Sequence, residues 1–155
     1  MIGLACWALS GCASAPGASK AAPRSTMTRA GAIAIAKLVA TSIGGRVYTI
    51  APTGSMRPTL DEGSVVMAEV VGWEQLHQGD IVIYRATDGD EVIHRLYARR
   101  GDHWIVLGDN NTAVDRETVT AENLLGRVCG IFYTSGKPVA RTTSGLPRTL
   151  QAAAR

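Results

Sequence analysis

No lysine lies between Lys37 and Lys137. The long central stretch therefore offers no amine for proton transfer, and arginine cannot replace one, because a guanidinium is not deprotonated in proteins. Acidic residues are missing from 1–45 and again from 134–155. Cysteine is scarce: Cys6, Cys12 and Cys129 form neither a disulfide framework nor a metal-ligand spacing. Aromatic residues make up only 5%. Without a basic face interleaved with aromatics, nucleic acid is excluded as a partner. Long apolar runs are lacking too. The stretch 30–45 has 16 residues with Lys37 in its middle, whereas a spanning helix needs about 20 apolar residues. It reads as a short amphipathic helix or an interfacial segment, ended by Gly44-Gly45.

What is present is unevenly charged. All thirteen acids lie in 46–133 against eight arginines, while each flank carries four basic groups. The net charge of +3 thus hides an acidic centre between two basic arms. Such arms can be solvated tails, or can hold a protein near anionic lipid head groups at about 1 kcal/mol per nearby charge. At 155 residues there is room for one modest domain.

The first residues read as an export segment. Ile2–Leu9 is apolar, and Leu9-Ser10-Gly11-Cys12 resembles a bacterial lipoprotein box. That resemblance implies a signal peptide over 1–11, diacylation of Cys12, and a small-residue, Pro/Ser-rich tether over 12–29. The departure is that no Lys or Arg precedes the apolar run. Cys129, inside Val128-Cys129-Gly130-Ile131, reads as a buried small hydrophobe rather than a reactive thiol.

From Arg46 onward the pattern is β. Strands are expected over 46–51, 64–71, 81–86, 91–98, 103–107 and 125–132. Gly79-Asp80 is a turn before the third, and Asp88-Gly89 is a hairpin signal between the third and fourth. Short strands at regular spacing with Gly/Asp turns indicate an all-β domain over 46–133, followed by a basic tail over 134–155.

Three short motifs carry chemistry. Thr53-Gly54-Ser55-Met56-Arg57-Pro58 puts a serine on a corner that glycine and proline permit. Ile93-His94-Arg95-Leu96 follows, then Gly108-Asp109-Asn110-Asn111 with Asp115 beyond. Serine, histidine and aspartate in separate motifs are the raw material of nucleophilic acyl transfer. Ser55 is the candidate nucleophile and His94 the candidate base, with Asp109 and Asp115 competing to orient it. His94 shares a strand face with Val92 and Leu96, where a histidine can equally be a satisfied core residue. Ser64 reads as structural, and His77 and His103 as surface residues.

The ordered trio resembles the type I signal peptidase family, over roughly 47–132, and most closely the histidine-base branch of archaea and the endoplasmic reticulum. The resemblance implies the coiled, multi-sheet β-fold of signal peptidases and self-cleaving repressors. It implies Asp115, at the end of the acidic box and before Arg116, as the orienting acid. Asp109, with Asn110 and Asn111, then supports the loop by bonding backbone. Thr53 aligns with the residue that supplies a side-chain oxyanion donor in bacterial relatives, acting with the Ser55 backbone N–H. Met56 is expected to pack beneath the site. Segments 47–51 and 81–85 could pair an extended substrate as an added strand.

The implied activity is a membrane-associated serine endopeptidase on the extracytoplasmic side. It would cut exported pre-proteins after small residues, with no metal or organic cofactor. Its membrane contacts would be the Cys12 lipid and the basic arms. Two other readings stand beside it. One is a peptidase that processes a single partner or itself, for example near Ala152-Ala153-Ala154. The other is an inactive lipoprotein that binds peptides in the same groove.

Overall fold

A computed structural model describes residues 25–136. The candidate lipidation site Cys12, the expected signal peptide, most of the expected tether and nearly all of the basic tail lie outside the described residues. The order of elements is α1 (Arg29–Ile43), β1 (Arg46–Thr49), β2 (Val65–Glu69), β3 (Ile81–Arg85), β4 (Glu91–Arg100), β5 (His103–Leu107), β6 (Thr118–Val119) and β7 (Leu124–Tyr133).

Helix α1 starts where the Thr28 hydroxyl accepts the Gly31 N–H, and stops at Gly44, which takes the left-handed conformation at φ 68°. Ala32, Ala36 and Ala40 recur every fourth residue and are buried. Small side chains on one stripe let the helix lie close on β1, β2 and β7. Elsewhere on the helix Ile35, Leu38 and Ile43 are exposed. No helix among the described residues is long and apolar enough to cross a membrane.

The strands form one antiparallel sheet of seven, in the order β1-β2-β7-β3-β4-β5-β6. The all-β reading holds. β7, the last strand, runs between β2 and β3 and so joins the first half of the chain to the β3–β6 meander. Two cores lie on this sheet. Ile50, Met56, Leu60, Val66 and Ile81 make the first. Leu76, Val82, Tyr84, Leu96, Trp104, Val106 and Val119 make the second. The β3–β4 hairpin separates them: Ile81 and Ile93 turn to the first, Val82, Tyr84 and Leu96 to the second, as a period of two requires.

Three expectations need correction. The 81–85 segment is not an edge. β3 is hydrogen-bonded to β4 on one side and β7 on the other, so it has no free backbone for an incoming strand. β1 is an edge strand, and of the two proposed segments it alone can add a strand. Cys129 is exposed, at the register shift where β7 passes from Gly130 opposite Met67 to Val128 opposite Ala68. Its thiol is still pushed up, by partial burial first and by the Glu69 charge second. Finally, β6 is a two-residue strand with no sequence signal, and β4 runs two residues beyond its expected end.

Candidate active site

The serine loop is built by anchoring. Gly54 has φ 74°, a conformation open to glycine, and its carbonyl accepts the Arg57 N–H at 3.2 Å. On the C-terminal side of Ser55, Met56 and Leu60 are each 1% exposed in the first core. Burying two such side chains is worth about 1.5–3 kcal/mol each. Their immersion leaves Ser55 on the outside of a rigid corner, and the expectation that Met56 packs beneath it holds. The acidic box fixes the other side. Asn110 donates its backbone N–H to the Ser55 carbonyl at 2.7 Å and its side-chain amide to the Gly54 carbonyl at 3.2 Å.

His94 lies on β4, opposite Val82 of β3, and is 8% exposed. Its Nε2 is 3.1 Å from Ser55 Oγ. Its Nδ1 is bonded to Asp115 Oδ2. A carboxylate at Nδ1 selects the Nδ1–H tautomer, so the neutral ring presents Nε2 as an acceptor to the serine hydroxyl. Asp115 is held in turn: its N–H donates to the Val106 carbonyl at 3.0 Å, and Oδ2 accepts the Tyr84 hydroxyl at 3.1 Å. Ser55 thus comes from a loop anchored in the first core, and His94 and Asp115 from elements tied to the second.

Close approach at this junction requires Gly108. A Cβ there would meet the Ser55 carbonyl and Asn111 Nδ2 at 2.8 Å and His94 Nε2 at 2.9 Å. Asp109 does not touch His94. Both its oxygens are taken by Arg95, at 2.7 and 2.6 Å, and Oδ2 also accepts the Thr59 hydroxyl at 2.5 Å. It braces the loops through side chains, which corrects the expectation of backbone bonds. Thr53 Oγ1 is 3.3 Å from Ser55 Oγ. Ser64 is fully buried and bonded to Asp61, and His77 is exposed. His103, half-buried, pairs with Asp102. Ser64, His77 and His103 do not bond the serine.

A groove of about 480 Å³ opens beside the pair. Tyr48, Thr49 and Ile50 from β1 and the residue after it, Ile83, Val92 and Ile93 from the β3–β4 hairpin, and Ser55 and His94 line it, with Asp90 and Glu91. Its mostly apolar walls and the free edge of β1 suit an extended peptide.

The sequence profile of the family described as "Signal peptidase, peptidase S26" matches residues 24–131. The chain belongs to that family. No curated protein matches it. As a member of the signal peptidase family it is a peptidase, and the matched span contains all three motifs and the strands that carry them. Reading the sequence missed Tyr84 and the Arg95–Asp109–Thr59 clasp. Tyr84 had a signal: the Asp88-Gly89 turn fixes the hairpin register, and alternation then puts residue 84 on the face of His94. The clasp had none, because Thr59 and Asp109 are fifty residues apart in two loops.

Proposed function

We propose that this signal peptidase family member is a serine endopeptidase that uses histidine as its base, with Ser55 as nucleophile, His94 as general base and Asp115 as the acid that orients it. The observation that carries the reading is the continuous Ser55–His94–Asp115 chain, with 3.1 Å between Oγ and Nε2. Ser55 Oγ attacks the scissile carbonyl carbon while its proton passes to Nε2. The Asp115 carboxylate stabilises the imidazolium so formed. The oxyanion accepts hydrogen bonds from the Ser55 N–H and the Thr53 hydroxyl. When the intermediate collapses, the C–N bond breaks and the departing amine takes the proton from Nε2. Water then gives a proton to His94, attacks the acyl-enzyme, and Ser55 Oγ recovers a proton as it leaves.

The substrate proposed is the extended cleavage segment of an exported pre-protein with small residues at the cut, added along β1 in the groove. The Cys12 lipid and the basic arms would keep the enzyme at a membrane, on its extracytoplasmic side. The test uses the purified full chain and a pre-protein with a small-residue cut site. Wild type should cleave at that site and label at Ser55 with a serine-directed acylating probe. Ser55→Ala should lose at least about 10³-fold in rate while melting at the same temperature. Probe labelling without cleavage of any pre-protein favours a partner-specific peptidase, and a shortened intact mass favours self-processing. Absence of both labelling and cleavage leaves a peptide binder.

A further inference from the structure

The proton path leaves one contact at the site unused, the Tyr84 hydroxyl. Tyr84 is 2% exposed, its ring inside the second core. It donates to Asp115 Oδ2 at 3.1 Å, and the same oxygen accepts Nδ1–H of His94. Burial first, then the Asp115 charge, pushes the phenol well above its ordinary range, so it remains a donor at every working pH. The groups that face this pair are few. Ser55 comes from the loop after β1, Tyr84 from β3 and His94 from β4. Asp115 and Glu117 come from the loop before β6, where Arg116 is exposed. Glu117 adds to the upward push on Tyr84, and is itself bonded to Thr87. β5, β6 and β7 contribute Trp104, Val106, Val119 and Leu124 to the same core. The charged group on this face from β7 is Arg127, opposite Val82 and paired with Glu69.

We infer that Tyr84 is a positioning residue that acts through Asp115: by sharing Oδ2 with His94 it both fixes the loop-borne carboxylate against the sheet and limits how tightly that carboxylate holds a protonated imidazole. This rests on the Ser55–His94–Asp115 reading. The physical ground is that each donor to a carboxylate oxygen neutralises part of its charge. An Asp115 bound by Tyr84 has less left for the imidazolium. Without the phenol, the whole acceptor strength turns to His94 and the charged ring is favoured. The neutral form that can take a proton from Ser55 then appears only at higher pH.

Tyr84→Phe removes one oxygen and keeps the ring that fills the core. In the full chain, kcat should fall roughly tenfold with KM within about twofold, since a hydrogen bond to a charged group is lost. The acidic limb of kcat/KM should move to higher pH by several tenths of a unit. The readout independent of activity is the NMR titration of the His94 ring. Its midpoint should rise in Tyr84→Phe, while those of His77 and His103 stay fixed. Incorporating 3-fluorotyrosine, a stronger donor at all four tyrosines, should lower the His94 midpoint with no change of sequence. In an Asp115→Asn background, Tyr84→Phe should shift nothing further. A His94 midpoint that is unchanged or lower in Tyr84→Phe overturns the inference, even if activity drops, because a purely structural loss would do that. Should Ser55→Ala retain full activity, the proposed mechanism fails, yet the His94 titration still decides the role of Tyr84.

Discussion

At the scale of single residues, the site depends on what is missing at position 108 as much as on what is present at 55, 94 and 115. Gly108 lies where three groups converge: the carbonyl of the nucleophile, the base nitrogen and an amide of the acidic box. Each would meet an added methyl group below 3.0 Å, and two of them, a backbone carbonyl and a half-clamped ring, cannot move without altering the 3.1 Å Ser–His contact. Gly108→Ala is therefore expected to leave a folded protein whose kcat falls at least about 10²-fold, in line with the cost of displacing a reacting group by about an ångström. Steady-state kinetics beside a thermal melt checks this. A rate within threefold of wild type means that the Ser–His spacing is not held by this junction. The two acids divide by the same logic. Asp115 touches the ring, whereas Asp109 spends both oxygens on Arg95 and Thr59.

At the scale of elements, that division of labour becomes a clasp. Arg95 is on β4, Asp109 in the loop after β5 and Thr59 in the serine loop, so one carboxylate ties three elements together. The carboxylate is 14% exposed and its partner 34%. A bidentate pair so placed loses more when broken than a surface ion pair does. Asp109→Asn is expected to cost about 1–3 kcal/mol of stability, read as a lower denaturation midpoint in urea. Asp115→Asn should leave that midpoint nearly unchanged but reduce kcat about 10³- to 10⁴-fold, since the amide favours the wrong tautomer. If both variants lose stability and rate alike, the two acids are not separable in this way. How much of this was legible follows from the same elements. The β3–β4 hairpin was readable because Asp88-Gly89 pins its register, and with it the neighbours of His94. The 81–85 segment misled because a continuous apolar run fits a central strand and an edge equally. Only the pairing with β7, set by residues forty positions later, decides between them. Cys129 misled because its apolar neighbours suggest burial, whereas β7 shifts register against β2 at this residue, and no local pattern encodes that. β6, at two residues, exists only because β5 offers it an edge, and no local pattern encodes that.

At the scale of the whole molecule, charge is segregated by position in the chain, and the fold sets the two ends of the described unit side by side. Ser25 donates its N–H to the Thr134 carbonyl at 3.2 Å, and its hydroxyl to the Phe132 carbonyl at 3.2 Å. The two ends of the described unit are thus adjacent. Beyond residue 136 the sequence adds Lys137, Arg141, Arg148 and Arg155, and before residue 25 it adds Lys20 and Arg24, with no acid in either arm. Between them lie all thirteen acids. An anionic surface would attract the arms and repel the acidic unit, so the arms should govern both the strength and the orientation of binding. Basic groups near such a surface contribute about 1 kcal/mol each and are screened beyond about 10 Å at 0.1 M salt. Unacylated full chain, prepared as Cys12→Ser, is expected to sediment with vesicles rich in phosphatidylglycerol but not with neutral phosphatidylcholine vesicles. Removal of 138–155 should weaken that binding at least tenfold, and 0.5 M salt should abolish it. The same truncation should leave kcat on a soluble peptide unchanged, because the groove residues among the described ones lie between Tyr48 and His94. Binding that is equal on neutral vesicles, or indifferent to salt, would assign the attraction instead to the exposed apolar side chains of α1, Ile35, Leu38 and Ile43.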